Sequence, residues 1–426
     1  MLPPPLVRSA AVASLGSLLF GFDTAVISGA TEALRGHFAL GSQQLGFTVA
    51  SALLGTILGS LAVGSPLESR GRRPVLRGLA VLYVVSALGC GLAWSWPALV
   101  FFRFLGGLAI GGSSVAAPMY IAEIAPPEAR GRLVAMSQLN IVVGILVAYL
   151  SNSIVEAAVG GPDSAAWRVM LGAPAVPALA FYLLTLGMPE SPRWLIARGR
   201  RDEAEGVFRQ VGADRPAAIV ADVVASLGAE TSAAAEPFFT AKYRRPILLA
   251  LMVATFNQLS GINALIYYTA DIFAMAGAGR TSALWQSVVI GVTNLVFTLL
   301  AMTVIDRVGR KRLLLIGSLG LAACLFVAAW ALSTGGGGAL VLASLIGYIA
   351  FFAFSQGAVI WVYLSEIFPN RVRARGQALG SFTHWVWAAA VSWTFPIVAE
   401  ASGGLPFVIF GVIMLVQVVA VAVLLP

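Results

Sequence analysis

The sequence predicts an all-α membrane protein with twelve transmembrane helices in two six-helix bundles. Three observations predict this fold class: the composition, the spacing of the apolar runs and the distribution of the basic residues. Hydrophobic residues make up 59% of the 426 residues and charged residues only 11%. A soluble domain carries about 25% charged residues, so the chain is predicted to be a polytopic membrane protein.

Twelve apolar runs follow one another along the chain with short connections. Most have 20 or more residues, the length that a helix rising about 1.5 Å per residue needs to cross about 30 Å of hydrocarbon. Glycine and alanine recur at close spacing in many of them, which lets helix backbones approach one another. The runs cover residues 9–34, 43–66, 75–95, 97–122, 131–153, 167–187, 246–273, 284–305, 312–333, 339–365, 374–398 and 405–425.

One polar segment interrupts this pattern between the sixth and the seventh run. Residues 190–245 are rich in charged side chains and contain only short amphipathic stretches. We therefore predict an N-terminal six-helix bundle (residues 1–189), a cytoplasmic helical linker domain (residues 190–245) and a C-terminal six-helix bundle (residues 246–426).

The basic residues predict the orientation. If both termini and the loops after the even-numbered spans lie on one side, that side holds 23 of the 27 Lys and Arg residues. The positive-inside rule places this side, with both termini, in the cytoplasm. Because these residues are scattered through short loops rather than gathered in one patch, we do not expect a nucleic acid as partner.

The two halves repeat their charged motifs. Glu-Ser-Arg-Gly-Arg-Arg at 68–73 follows span 2, and Asp-Arg-Val-Gly-Arg-Lys at 306–311 follows span 8. A Glu precedes an Arg by seven residues after both span 4 and span 10. Repeated halves around a site at the bilayer midplane are typical of secondary transporters. Arginines in cytoplasmic loops also serve as plain topology signals, but four clusters in matching places favour a functional repeat.

We expect these clusters to form a cytoplasmic gate. Its salt bridges would latch the outward-facing state and break when the inside opens. Exposed pairs contribute only about 0–1 kcal/mol each, so such a latch would have to act as a network. The expected members are Glu68, Arg72, Glu123, Arg130, Asp306, Arg310, Glu366 and Arg373.

Span 7 carries amides at membrane depth. Asn257, Gln258 and Asn263 lie inside a run long enough to cross a bilayer, where unpaired amides are costly. On a straight helix Gln258 and Asn263 would point about 140° apart. A break at the glycine of Ser260-Gly261 would let both face one cavity. The amides themselves leave two interpretations open, a ligand site and contacts between helices.

Several function classes find no support in the sequence. The only histidines are His37 and His384, and the sequence has no zinc-binding His-Glu-x-x-His motif, no Gly-x-Ser-x-Gly motif and no P-loop. Cys90 and Cys324 lie singly in apolar runs, which argues against a disulfide framework or a metal cluster. We therefore expect neither an enzyme nor a cofactor.

Four motifs, in order along the chain, carry a resemblance to a known family. They are Pro-Glu-Ser-Pro-Arg-Trp-Leu at 189–195, Gln-Leu-Ser-Gly-Ile-Asn at 258–263, Asp-Arg-Val-Gly-Arg-Lys at 306–311 and Trp-Val-Tyr-Leu-Ser-Glu-Ile-Phe-Pro at 361–369. With these motifs the chain resembles the sugar porters of the major facilitator superfamily across essentially its full length. The resemblance implies the major facilitator fold with an intracellular helical domain and alternating access to a central sugar site. It also implies a monomer in a bacterial inner membrane, with a monosaccharide, a proton and the lipid bilayer as partners.

The resemblance also implies which side chains lie at the sugar. Amides match the hydroxyls of a sugar, and an indole stacks on its apolar C–H face. Counting from the cytoplasmic ends at about 1.5 Å per residue places four of them roughly 12–18 Å into the bilayer: Gln138, Gln258, Asn294 and Trp385. The full set is Phe20, Gln138, Asn257, Gln258, Asn263, Tyr267, Asn294, Trp361, His384 and Trp385.

Three features of this set bear on the site. Trp361 lies only five residues before Glu366 and is therefore shallower, which predicts that span 10 is broken. Packing or interfacial anchoring is the alternative role for the two tryptophans. Asn257 stands where many relatives carry glutamine, and His384 where they often carry glutamine or asparagine, so both put the choice of sugar in doubt. We expect a hexose or a pentose, most nearly a glucose-like one.

Asp23 and Arg103 are the only acid and base well inside the spans. At about 1.5 Å per residue, both fall roughly 10 Å from the outer face. A carboxylate inside the membrane is costly unless it is paired or protonated. The resemblance implies that Asp23 carries the coupling proton, so we expect proton-coupled sugar import. A static ion pair, a facilitative uniporter and a non-transporting sugar sensor are the alternatives.

Overall fold

The computed structural model describes residues 3–160, 165–232, 237–335, 337–369 and 371–425, and only the backbone of 228–232 and 306. These residues form helices, and no strand occurs among them. Eleven segments in the described part of the chain are long and apolar enough to cross a membrane. A further helix of 29 residues lies where the eleventh span is expected. The predicted fold class is confirmed.

The N-terminal half contains the first six predicted spans. Span 2 corresponds to α3 and α4, and span 6 is divided into α8 and α9 next to Pro174. The helices are α1 (Pro4–Val26), α2 (Thr31–His37), α3 (Ser42–Ala62), α4 (Gly64–Arg70), α5 (Arg72–Gly91), α6 (Trp96–Ile124), α7 (Pro127–Val159), α8 (Ala166–Gly172) and α9 (Ala175–Thr185).

Three short helices follow: α10 (Pro192–Ala197), α11 (Arg201–Gln210) and α12 (Pro216–Ser232). They dock against the N-terminal half. Trp194 Nε1 donates to the Glu68 carbonyl at 2.8 Å, and Glu190 accepts the backbone N–H groups of Arg72 and Arg73 at 2.9 and 3.2 Å. Glu190 therefore caps the start of α5, where a negative charge favours the helix dipole.

The C-terminal half begins with span 7, which is divided at the predicted position. Gly261 has φ +91°, a left-handed conformation that glycine adopts without steric cost. Span 10 is interrupted by a π-helical turn at Ala353–Gly357. The helices are α13 (Arg244–Leu259), α14 (Ile262–Tyr267), α15 (Thr269–Met275), α16 (Arg280–Val308), α17 (Arg310–Thr334), α18 (Gly338–Phe352), α19 (Ala358–Glu366), α20 (Arg373–Ala401) and α21 (Leu405–Leu424).

Within the part of the chain that the structure describes, the two halves share a hydrophobic core near one end. We call the end with α4, α10–α12 and the start of α20 the basic face, and the other end the opposite face. Near the opposite face one core cluster contains residues of both halves. Towards the basic face each half has a core cluster of its own. The structure is therefore closed at the opposite face and divided at the basic face.

Helices α3 and α20 show how close this contact is. A Cβ added at Gly46 would lie 2.1 Å from the carbonyl oxygen of Trp393. The ring of Phe47 lies 5.2 Å from that of Trp393. Because only glycine allows backbones to approach so closely, residue 46 sets the fit between the two halves here.

Candidate functional site

The break at Gly261 brings two amides together. Asn263 Nδ2, from α14, donates to Gln258 Oε1, from α13, at 2.9 Å. On an unbroken helix these side chains would point about 140° apart. Gln258 is buried and Asn263 is half-buried. The break therefore brings together two polar side chains that a straight helix would point apart.

Gln258 is held on its other side by two further residues. Its Nε2 donates to Asn257 Oδ1 at 3.2 Å and lies 3.1 and 3.0 Å from the two ring nitrogens of His384. Asn257 Nδ2 in turn donates to the Gln356 carbonyl in the π-helical turn, at 3.2 Å. Asn257, an expected sugar contact, is therefore hydrogen-bonded to protein groups through one N–H and through its oxygen.

Aromatic rings surround these amides. The ring of His384 lies 5.1 Å from that of Trp361 and 4.9 Å from that of Trp385. Phe20, on α1, packs edge-on against Trp385 with ring centroids 5.4 Å apart. Since Phe20 belongs to the N-terminal half and the other three rings to the C-terminal half, the aromatic wall joins the two halves.

The remaining expected sugar residues lie apart from this cluster. Gln138 is half-buried on α7 and Asn294 is buried on α16, two helices that pack against each other. Asn294 Oδ1 accepts from Thr298 at 3.4 Å. Tyr267 is buried on α14. Within the described ranges, none of the three is hydrogen-bonded to the amide cluster.

The structure brings Asp23 and Arg103 to the same depth. Arg103 Nη2 lies 3.7 Å from Asp23 Oδ2, a distance at which the charges attract but no hydrogen bond forms. Arg103 is fixed from another side, because its Nε donates to the Thr48 carbonyl at 3.1 Å. The Arg103 side chain is 1% exposed and that of Asp23 is 18% exposed. The base is thus buried in protein, while the acid is partly exposed.

The charged motifs of the two halves form matching pairs at the basic face. Arg72 Nη2 lies 2.6 Å from Glu123, and Arg310 Nη2 lies 2.7 Å from Glu366. Each of these arginines also donates to the carbonyl five residues before it. Each pair lies within its own half. Because they are intact while the basic face is divided, they are not the contacts that break when that face opens.

The other expected members of the gate have different surroundings. Glu68, Arg130 and Arg373 are exposed, and the Arg373 Nε contacts the Phe368 carbonyl at 3.4 Å. The side chain of Asp306 lies outside the described residues.

Sequence reasoning missed a second polar cluster, which joins the halves at the opposite face. Thr31 Oγ1 donates to Asp271 Oδ2 at 2.7 Å, and Arg280 Nε lies 2.9 Å from Glu156 Oε1. Tyr149 Oη donates to the Ile266 carbonyl at 2.9 Å. Asp271 and Glu156 each lie at the outer end of a long apolar run, and this position in the sequence could have predicted a polar cluster there.

Comparison with known proteins places this geometry among sugar transporters. Residues 9–426 match the family described as Sugar (and other) transporter. The D-xylose-proton symporter of Escherichia coli (strain K12) is 37% identical over 94% of this chain and 88% of its own length. The glucose transport protein of Synechocystis sp. is 35% identical over 92% of this chain and 88% of its own length. The xylose transporter of E. coli in a partially occluded inward-open conformation superposes with a TM-score of 0.87 and 34% identity, covering 99% of both chains.

Proposed function

The chain belongs to the sugar (and other) transporter family, and from that premise we propose that it imports a monosaccharide together with a proton by alternating access. It is an integral membrane transporter and not an enzyme. We assign the basic face and both termini to the cytoplasm of a bacterial cell, because 23 of the 27 Lys and Arg residues lie on that side. The structure then represents an inward-facing state.

We assign the sugar to a site formed by Gln258, Asn263 and the aromatic wall. Amides that donate and accept match sugar hydroxyls, and the indoles of Trp361 and Trp385 offer faces for C–H contact. Gln138 and Asn294 contribute from α7 and α16. The similarity to transporters named for xylose and for glucose supports an aldose, which we take to be glucose-like in shape.

The pair formed by Asp23 and Arg103 carries the proposal of proton coupling. An ionised Asp23 is attracted to Arg103, and this attraction is lost when Asp23 binds a proton. Arg103 is anchored to the α3 backbone and does not need to move, whereas the side chain of Asp23 is partly exposed. We assign proton uptake to Asp23 from the opposite face in the outward-facing state, followed by closure around the sugar and proton release to the cytoplasm.

Transport in proteoliposomes tests this assignment. With Asp23→Asn, uptake of labelled D-xylose or D-glucose against its gradient should be lost, because the side chain no longer titrates. Sugar binding and exchange across the membrane should persist. Glu128→Gln, which neutralises an exposed carboxylate at the basic face, serves as the control and should accumulate sugar as the wild type does.

The same assay separates the alternatives. If the wild type only equilibrates sugar and does not respond to an imposed pH gradient, it is a facilitative uniporter. Binding without flux would indicate a sensor. Accumulation by Asp23→Asn in response to a pH gradient would show that Asp23 is not the coupling group.

A further inference from the structure

Gln258 has almost no hydrogen-bonding capacity left for a ligand. A primary amide has two N–H donors and an oxygen with two lone pairs. One N–H of Gln258 donates to Asn257 at 3.2 Å, and we assign the other to the ring of His384, whose two nitrogens lie 3.0–3.1 Å from Gln258 Nε2. One lone pair of Oε1 accepts from Asn263 at 2.9 Å. What remains is a single acceptor lone pair on Oε1.

His384 fixes the direction in which this amide points. Since a Gln258 N–H faces the ring, at least one ring nitrogen must be unprotonated and accept it. Both ring nitrogens lie within 3.1 Å of Gln258 Nε2, so either neutral tautomer can accept. In a doubly protonated ring both nitrogens carry a hydrogen, so a ring N–H would oppose the N–H of Gln258. The amide is therefore held in one orientation as long as His384 is neutral.

The surroundings of His384 keep its ring in place. The ring packs between Trp361 and Trp385, at 5.1 and 4.9 Å between centroids, and His384 is buried. Asn257 adds a second anchor, because its Nδ2 is tied to the Gln356 carbonyl. A rotation of the Gln258 amide by 180° would oppose its oxygen to Asn257 Oδ1 and its NH₂ to that of Asn263.

We propose that His384 is a positioning residue that makes Gln258 a hydrogen-bond acceptor only, so that this position of the site selects a sugar hydroxyl that donates. The inference rests on the proposed function, because it takes the ligand to be a monosaccharide. It adds a rule of selectivity: a sugar derivative that accepts but cannot donate at the hydroxyl read by Gln258 is rejected.

Deoxyfluoro sugars provide the probe, because a C–F group cannot donate a hydrogen bond. Whichever of D-xylose and D-glucose binds the wild type more tightly is compared with its monodeoxy and monodeoxyfluoro derivatives by calorimetry. At one ring position the fluoro derivative should bind the wild type about 10-fold or more weakly, as expected for a lost hydrogen bond in a buried site. In His384→Phe the ring packing is kept but the acceptor is lost, so the Gln258 N–H that faced the ring has no protein partner and is available to the fluorine. The fluoro penalty, which is the factor by which the fluoro derivative binds more weakly than its parent sugar, should then fall to about 3-fold or less.

Two further variants separate positioning from packing. His384→Gln restores an acceptor for the Gln258 N–H and should restore the wild-type penalty. Tyr268→Phe removes a different hydrogen bond to α20, from Tyr268 Oη to the Ser392 carbonyl at 2.9 Å, and should keep the wild-type penalty. If His384→Phe does not fold, His384→Ala makes the same test.

The outcomes also separate this inference from the proposed function. If the wild type binds neither sugar, the proposed function fails. If the wild type binds sugar but its fluoro penalty is unchanged in His384→Phe and His384→Ala, the inference on His384 is overturned while the sugar site stands. The inference is likewise overturned if Tyr268→Phe lowers the penalty as much as His384→Phe does.

Discussion

At the scale of single residues, the neighbours Asn257 and Gln258 have different roles. Both are buried, with Asn257 2% and Gln258 1% exposed, but Asn257 is tied to the π-helical turn of span 10 through the Gln356 carbonyl. Gln258 keeps a free lone pair on Oε1 and contacts Asn263, which is half-buried. Asn257 therefore supports the proposed site, whereas the free lone pair of Gln258 is the group to which we assign the sugar contact.

Alanine substitutions distinguish these two roles. Gln258→Ala should weaken sugar binding about 10-fold or more, because an acceptor in a buried site is lost. Asn257→Ala should weaken binding by about 3-fold or less but lower the free energy of unfolding by about 1–3 kcal/mol, because it leaves the buried Gln356 carbonyl without its donor. Calorimetry of sugar binding and thermal unfolding in detergent measure both effects. Equal losses of affinity in the two variants would contradict the division of roles.

Part of the residue-scale geometry is predictable from the sequence, and part is not. Counting residues along spans 1 and 4 puts Asp23 and Arg103 at the same depth, because helix rise is constant, and the structure places them 3.7 Å apart. The partner of Gln258 is different. His384 lies 126 residues further along the chain, and nothing in the local pattern of either span indicates that their side chains meet.

At the scale of elements, the conformation of span 7 depends on Gly261. Its φ of +91° is left-handed, and a Cβ at this position would lie 2.4 Å from the ring of Phe410. The glycine and the amides on both sides of it were visible in the sequence, so the break could be predicted. The close approach of Phe410 could not, because it depends on how α21 packs against α13.

Gly261→Ala should therefore destabilise the protein and weaken sugar binding. The left-handed backbone alone costs about 1–2 kcal/mol for a residue with a Cβ, and displacement of Phe410 adds to this. Gly277→Ala is a matched control, because Gly277 has φ +86° but a Cβ added there would point into open space, with no neighbouring atom within 4 Å. Thermal unfolding and calorimetry compare the two variants. If both lose the same stability and neither loses affinity, the fit at Gly261 does not shape the site.

At the scale of the whole molecule, the sequence predicts the repeat of the two halves but not which face is closed. The pairs of Arg72 with Glu123 and Arg310 with Glu366 follow from the motif repeat, and each lies inside its own half. Closure depends instead on contacts between halves, such as that of Thr31 with Asp271, which are 240 residues apart. Such contacts exist in only one state of a transporter. The repeat of charged motifs is the same in every state, so it does not indicate which state is populated.

The contacts between Thr31 and Asp271 and between Arg280 and Glu156 join the halves at the opposite face and should stabilise the inward-facing state. Thr31→Val keeps the shape of the side chain but removes the donor to Asp271, which is held at 2.7 Å. The loss of about 1–3 kcal/mol should shift the ratio of inward-facing to outward-facing molecules by roughly 5-fold or more. Spin labels at the exposed residues Gln43 and Ser402, on the opposite-face ends of the two halves, report the separation as a distance distribution.

In Thr31→Val this distribution should gain a longer component, because the two halves part at the opposite face when the outward-facing state is populated. Thr293→Val is the control, since the Thr293 hydroxyl donates only within its own helix, to the Val289 carbonyl at 2.8 Å. It should leave the distribution as in the wild type. A Thr31→Val distribution identical to that of the control would mean that the backbone packing of α3 against α20 and of α7 against α16 closes this face without help from the polar pair. Gly46, whose Cα lies against the Trp393 carbonyl, would then be the residue at which closure is controlled.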